Sequence, residues 1–199
     1  MSENESIKGI VEALIFTSDK PLLIEQIKEV IETIDVKEIR ALIEELQSDY
    51  AQRKSGVSII EVAGGYRMCS SKEYAQYLKR FYKVRHKEKL SMPALETLAI
   101  VAYKQPVTRL DIESIRGVNV DVVVKNLQEK GLIRTVGKKD TVGRPFVYGT
   151  TRHFLEYFGL RSLDELPKIE EFIKLSAEQQ SDTEVKSEPE QVAQEDRQD

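Results

Sequence analysis

Two histidines, one cysteine and two glycine-containing turns are the residues of this chain whose types could do covalent or acid–base chemistry. An imidazole can relay a proton or ligate a metal, a thiolate can attack, and a glycine loop before a helix can cradle phosphate. Each use needs neighbours. His86 lies in a basic run and His153 follows a Thr151-Arg152 helix start. Neither has a cysteine, a nucleophile elbow or a carboxylate pair at ligand spacing. Gly64-Gly65 and Gly137/Gly143 lack the strand–glycine loop–helix context of a nucleotide site and read as turns. Cys69 ends an extended run and reads as a small apolar residue. This inventory predicts a protein that is not an enzyme, with no metal and no cofactor.

Binding chemistry is better represented. Lys79, Arg80, Lys83, Arg85, Lys87 and Lys89 are opposed by Glu88 alone, with Phe81 and Tyr82 between them. Such a run is a contact for nucleic acid or for an acidic segment, or else a solvated linker. A second set, Tyr103, Arg109, Arg116, Arg144 and Tyr148, gathers around Lys104-Gln105-Pro106 and Thr108. Tyrosine and arginine are favoured at interface hot spots, because they bury area and keep a polar handle. Ordinary turn chemistry and surface arginines would give the same inventory.

The elements that must position these side chains come in a repeated order. Ile7, Ile10, Val11, Leu14 and Ile15 form one stripe of an amphipathic helix, broken by Asp19-Lys20-Pro21. Leu23–Ile34 and Val36–Tyr50 carry two more stripes. Val57–Val62 and Tyr66–Cys69 read as a β-hairpin about Gly64-Gly65. Ser70-Ser71-Lys72-Glu73 has the form of a capping box opening a helix with Tyr74, Tyr77, Leu78 and Phe81 on one face. The order then recurs. A helix starts at Ser91-Met92-Pro93 and is apolar nearly all round from Ala94 to Tyr103, with a break at Lys104-Gln105-Pro106. Thr108-x-x-Asp111 caps a short helix ended by Gly117, and Val120–Lys130 is a third. Leu132–Val136 and Pro145–Tyr148 flank a longer turn. Glu12-Ala13-Leu14 parallels Glu96-Thr97-Leu98. Phe154–Phe158 and Ser162–Glu165 add short helical turns, and Leu163 and Leu166 are expected to fold back on the second half.

Three helices and a hairpin, twice, predict a mainly α chain of tandem winged-helix domains, a helix-turn-helix variant with small β-hairpin wings. The expected boundaries are 1–86 with a linker helix, 87–167, and an acidic tail over 168–199. From Ser176 onward the chain has eight acids and two bases with few apolar residues, too little to offset ordering entropy, so the tail is expected to be disordered. A single cysteine, no apolar run near the ~20 residues of a membrane span and a polar N-terminus predict a cytoplasmic protein without membrane contact. Each half is small, and the apolar residues Ile7, Ile10, Val11 and Leu14 are candidates for dimerisation.

A winged helix that reads DNA presents Arg, Lys, Asn or Gln from its third helix. Val36–Tyr50 carries Lys37 and Arg40 against Glu38, Glu44, Glu45 and Asp49, and Val120–Lys130 balances Lys125 and Lys130 against Asp121 and Glu129. Neither supplies clustered positive charge. The charge therefore favours protein–protein contact over the alternative, a sequence-specific winged-helix regulator. Any DNA contact should be weak and non-specific, through Lys79–Lys89.

The run from Ala94 to Arg109, A-L-E-T-L-A-I-V-A-Y-K-Q-P-V-T-R, resembles the signature of the segregation and condensation protein B family. Ile115-Arg116-Gly117-Val118, Gly143-Arg144-Pro145, Tyr148–Thr151, Phe154–Leu160 and Leu163–Pro167 continue it in order. Over Ser6–Tyr82 the resemblance rests on architecture and on positions such as Glu12-Ala13-Leu14. One departure is Val142, where the family usually has proline. The resemblance implies a non-catalytic bacterial subunit that forms homodimers through its first winged helix. It implies binding to the middle segment of a kleisin, segregation and condensation protein A, which bridges the ATPase heads of an SMC dimer. The complex compacts and separates chromosomes, which implies a cytoplasmic, nucleoid-associated protein.

Overall fold

Pro21 and Pro106 each follow a long first helix, and in both halves the residue after the proline pairs with a later strand. The structure is a computed structural model and describes residues 3–82 and 89–167. The basic residues Lys83, Arg85 and Lys87, His86 and the acidic tail 168–199 lie outside the described residues.

In the first half, α1 (Glu3–Thr17), α2 (Ile24–Val30) and α3 (Val36–Gln52) are followed by the hairpin β1 (Val57–Val62) and β2 (Gly65–Ser70). Asp35 and Glu38 form a reciprocal capping box at the start of α3. The α3 stripe of Ile39, Leu42, Ile43 and Leu46 packs with Val11, Ile15, Ile27, Ile59 and Tyr66 in one core. Full burial of an isoleucine such as Ile27, Ile39 or Ile43 is worth about 1.5–3 kcal/mol. Polar ties close the α1–α3 seam: Lys8 reaches Glu45 and Asp49, and the Tyr50 hydroxyl donates to Glu12.

The hairpin turn is Ala63-Gly64, not Gly64-Gly65. Val62 pairs with Gly65, and Ala63 and Gly64 have φ of 51° and 70°. That is the left-handed pair a two-residue turn needs to match strand twist. Gly65 has another duty. A Cβ there would lie 2.8 Å from the Leu22 carbonyl oxygen, because Leu22 and Tyr66 exchange two backbone hydrogen bonds of 2.8 Å.

The expected capping box after this hairpin does not form. Ser70 stays in β2 opposite Val57, so Ser71 takes the cap position without a side-chain cap bond, and Lys72–Tyr74 winds as a 3-10 turn before α4 (Ala75–Phe81). No residue of α4 is buried.

The second half runs α5 (Met92–Lys104), β3 (Val107–Thr108), α6 (Arg109–Arg116), α7 (Asp121–Glu129), β4 (Ile133–Lys138), β5 (Phe146–Thr150) and α8 (Arg152–Phe158). Its sheet has the antiparallel order β3-β5-β4. β3 is the counterpart of the Leu22–Tyr66 bridge, a third edge that sequence reading did not expect. β4 extends through Gly137 with an irregularity after Thr135, so its strand is longer than expected. The core comprises Leu98, Val101, Ile112, Val124, Leu127 and Phe154. α5 is not apolar-inward all round: Met92, Leu95 and Tyr103 are exposed, whereas the polar Thr97 is fully buried. The parallel triplets also differ, since Ala13 is exposed where Thr97 is buried.

The chain after α8 does not fold back on the second half alone. The Leu160 carbonyl accepts from the Ala63 amide at 2.8 Å, and Arg152 Nη2 donates to the Pro21 carbonyl at 2.8 Å. A tight turn leaves its tip amide pointing outward, and Leu160 supplies the acceptor.

Candidate partner-binding surface

Arg116 is the least exposed of the arginines singled out from the sequence, and its partners explain why. Gly117, with φ of 69°, ends α6 so that Arg116 turns back over the start of α5. Nη1 donates to the Pro93 carbonyl at 2.9 Å and the Thr97 hydroxyl at 2.6 Å, and Nη2 pairs with Glu96 at 2.7 Å. Only 12% of its side chain is exposed. Arg116 therefore joins α6 to α5 and satisfies a buried hydroxyl.

Arg109 also has partners in its own half. It pairs with Asp121 at the start of α7 and lies 3.9 Å from Glu113 one turn along α6. The sequence places it in the first turn of α6, facing outward; the structure adds a tie between α6 and α7. Its helix starts at a full capping box, in which Thr108 and Asp111 serve each other. The Thr108 hydroxyl and amide hold the Asp111 carboxyl below its ordinary range, with Lys139 adding to the effect.

Tyr103 is part-exposed on the last turn of α5, Arg144 is exposed in the β4–β5 loop, and Tyr148 is half-buried in β5 opposite Val107. Pro93, which Arg116 grips, and Tyr103 stand at opposite ends of α5, about 15 Å apart at 1.5 Å per residue. The five residues therefore do not make one patch.

A residue that sequence reading assigned to a turn, Gln105, is a brace. Its Oε1 accepts from the Thr150 amide at 2.8 Å and hydroxyl at 3.1 Å, and its Nε2 donates to Ala102. A Cβ at Gly149 would lie 2.9 Å from that oxygen. Much of the motif around Gln105 thus secures the sheet to α5.

Apolar side chains stand among the polar ones on the exposed side of this helix-turn-helix. Leu110, Ile115, Val118 and Val122 are exposed along α6, the turn and α7, with Val122 79% exposed. Glu113, Ser114, Gly117, Val118 and Asn119 line a shallow depression in the same place. The available signal was their position off the inward stripe of Ile112, Val120, Val124 and Leu127.

In the first half, Val11 is fully buried and Ile7 and Leu14 pack against the core. Val11 is thus a core residue and not a contact for a second chain. The exposed side of α1 instead carries Ile10, Ala13 and Phe16, each three residues apart, with Phe16 70% exposed. Lys79 and Arg80 are exposed on α4 beside Tyr77, Phe81 and Tyr82, and Lys89 is exposed beyond the linker.

Among the described residues no group of three or more His, Cys, Asp or Glu is placed to hold a metal, and no helix is long and apolar enough to cross a membrane. His153 lies 3.6 Å from Glu156 on α8.

Two hairpin-bearing helical halves, each with a helix-turn-helix and a small antiparallel sheet, define a tandem winged-helix protein. A family model for the segregation and condensation complex subunit ScpB matches residues 9–169, and the chain belongs to that family. The segregation and condensation protein B of Syntrophotalea carbinolica is 45% identical over 175 residues, covering 88% of each chain. The crystal structure of ScpB from Mycobacterium tuberculosis is 33% identical, covering 80% of this chain and 99% of that one, with a TM-score of 0.40. A crystal structure of a dimer of an ScpB N-terminal domain complexed with a ScpA peptide is 38% identical. It covers 39% of this chain and 95% of that one, with a TM-score of 0.36.

Proposed function

We propose that this chain is a non-catalytic subunit of an SMC–kleisin complex, acting at the nucleoid in chromosome condensation and segregation. It works as a homodimer that holds the middle segment of the kleisin, and reaches the SMC ATPase through it. Residues 1–86 form the dimerising winged helix and 87–167 the kleisin-binding one. Family membership supports the assembly. The observation that carries the binding mode is the exposure of the apolar side chains Leu110, Ile115, Val118 and Val122 on the helix-turn-helix. A DNA reader would seat that element in the major groove with basic and amide side chains at its surface. Desolvating these four groups against an amphipathic segment gives the favourable term that phosphate contact cannot. Tyr103 and Tyr148 are further contacts in this reading, whereas Arg109 and Arg116 act through the helices they tie.

The test is calorimetry of the full chain against the isolated kleisin middle segment, with light scattering for stoichiometry. Val118→Glu with Val122→Glu should leave the melting temperature and the dimer unchanged and weaken kleisin binding at least tenfold. Unchanged affinity would place the kleisin on another surface.

A further inference from the structure

The two hairpins of this repeat have diverged in charge and in what covers their tips. The first, Val57–Ser70, holds one acid and one base, and its tip amide at Ala63 is occupied by Leu160. The second behaves differently. From Lys130 to Phe146 the chain carries five cations and a single acid, Asp140. Arg134, Lys138, Lys139 and Arg144 are all exposed. Lys139 is partly engaged by Asp111 at 3.4 Å. Lys138 stands over the exposed Phe146 ring at 5.0 Å, which holds the ammonium group up without neutralising it. Arg134 pairs across the strands with Gly149, which has no side chain to shield it. At the tip, Val142 is fully exposed beside Gly143 and Arg144, whose φ values of 82° and 40° turn the loop sharply.

We infer that the second wing is a DNA contact that binds the duplex through its phosphates and minor groove without reading sequence. Clustered lysine and arginine supply sequence-independent affinity by releasing counterions. A projecting ribbon with an arginine and a small apolar residue at its tip has the chemistry of minor-groove contact. The acidic α3 and neutral α7 add no base readout, so affinity and specificity separate: the wing holds DNA and nothing selects a site. The kleisin surface on α6 and α7 and the wing are different residues, so one partner does not exhaust the other. The basic linker is a contiguous run in the sequence, whereas the cations of the wing are spread through two strands and a loop and come together only in the fold.

The experiment measures fluorescence anisotropy of a labelled mixed-sequence duplex with the full-length protein over a salt series. The wild-type chain should bind weakly, equally to unrelated duplexes and more weakly with added salt. Lys138→Glu with Arg144→Glu should reduce affinity at least tenfold and make the logarithmic salt slope shallower by about 2, while kleisin binding and the thermal midpoint are retained. Lys138→Gln with Arg144→Gln, which removes charge without adding acids, should give a smaller loss in the same direction. Neutralising Lys83, Arg85 and Lys87 should leave most of the wing-dependent loss in place. The inference is overturned if the wild-type chain binds no duplex at low salt. It is also overturned if the wing variants bind as the wild type does, or if they lose kleisin binding alone.

Discussion

The Arg116 guanidinium and the Thr97 hydroxyl, 2.6 Å apart, join the end of α6 to the buried face of α5. Thr97 is fully buried, so removing its partner leaves a hydroxyl without water. Arg116→Ala should cost about 1–3 kcal/mol in urea unfolding. Adding Thr97→Val should recover part of that loss, because the stranded hydroxyl is then absent. Arg109→Ala breaks an exposed pair and should cost about 0.2–1 kcal/mol. Equal losses from the two arginines would contradict this division of roles.

The capping box at Thr108 gives a pH dependence with a definite sign. The Asp111 pKa is lowered in the folded chain by the Thr108 hydroxyl and amide. Its contribution is therefore complete above the unfolded value near ~4 and is lost as pH falls through the lower folded value. Acid titration followed by circular dichroism should show this loss, and Asp111→Asn should flatten it. Thr108→Ala should cost about 1 kcal/mol at neutral pH.

Gly65 and Gly56 should respond oppositely to alanine. At Gly65 the new methyl meets the Leu22 backbone, so Gly65→Ala should destabilise by about 1–3 kcal/mol. At Gly56 nothing lies within 4 Å and φ is not left-handed. Gly56→Ala should be neutral or stabilising by up to about 1 kcal/mol, through the unfolded chain. Thermal melts of the two variants suffice.

On α1, exposure separates folding from association. Ile10→Glu with Phe16→Glu should keep the fold and shift the light-scattering mass towards the monomer. Val11→Ala should cost about 1–3 kcal/mol through the core while the folded fraction still self-associates.

The helices of both halves were legible because their stripes are long: Ile39 to Leu46 in α3 and Val120 to Leu127 around α7 repeat often enough to fix an inward face. Strand β3 was not legible. Two residues, Val107 and Thr108, cannot show alternation, and their pairing with Tyr148 and Val147 depends on a strand far along the chain. The box expected at Ser70 and Glu73 does not form because Ser70 is held in β2 opposite Val57, and the helical turn starts one residue later, after Ser71. The arginines can be singled out by type alone, but whether a guanidinium meets solvent or a carboxylate such as Glu96 is decided by tertiary contact. α5 misled for the same reason, since composition could not show that Thr97 had a donor waiting.

The bonds from Ala63 to Leu160 and from Pro21 to Arg152 also set an order of events during synthesis. The first hairpin is translated early, yet its tip amide and the carbonyl beside its first helix acquire these partners only when the last helix has left the ribosome. The N-terminal half can close its own core before then, while these two polar groups wait for their partners. A chain truncated before Arg152 would pair its first hairpin but leave the Ala63 amide and the Pro21 carbonyl to water.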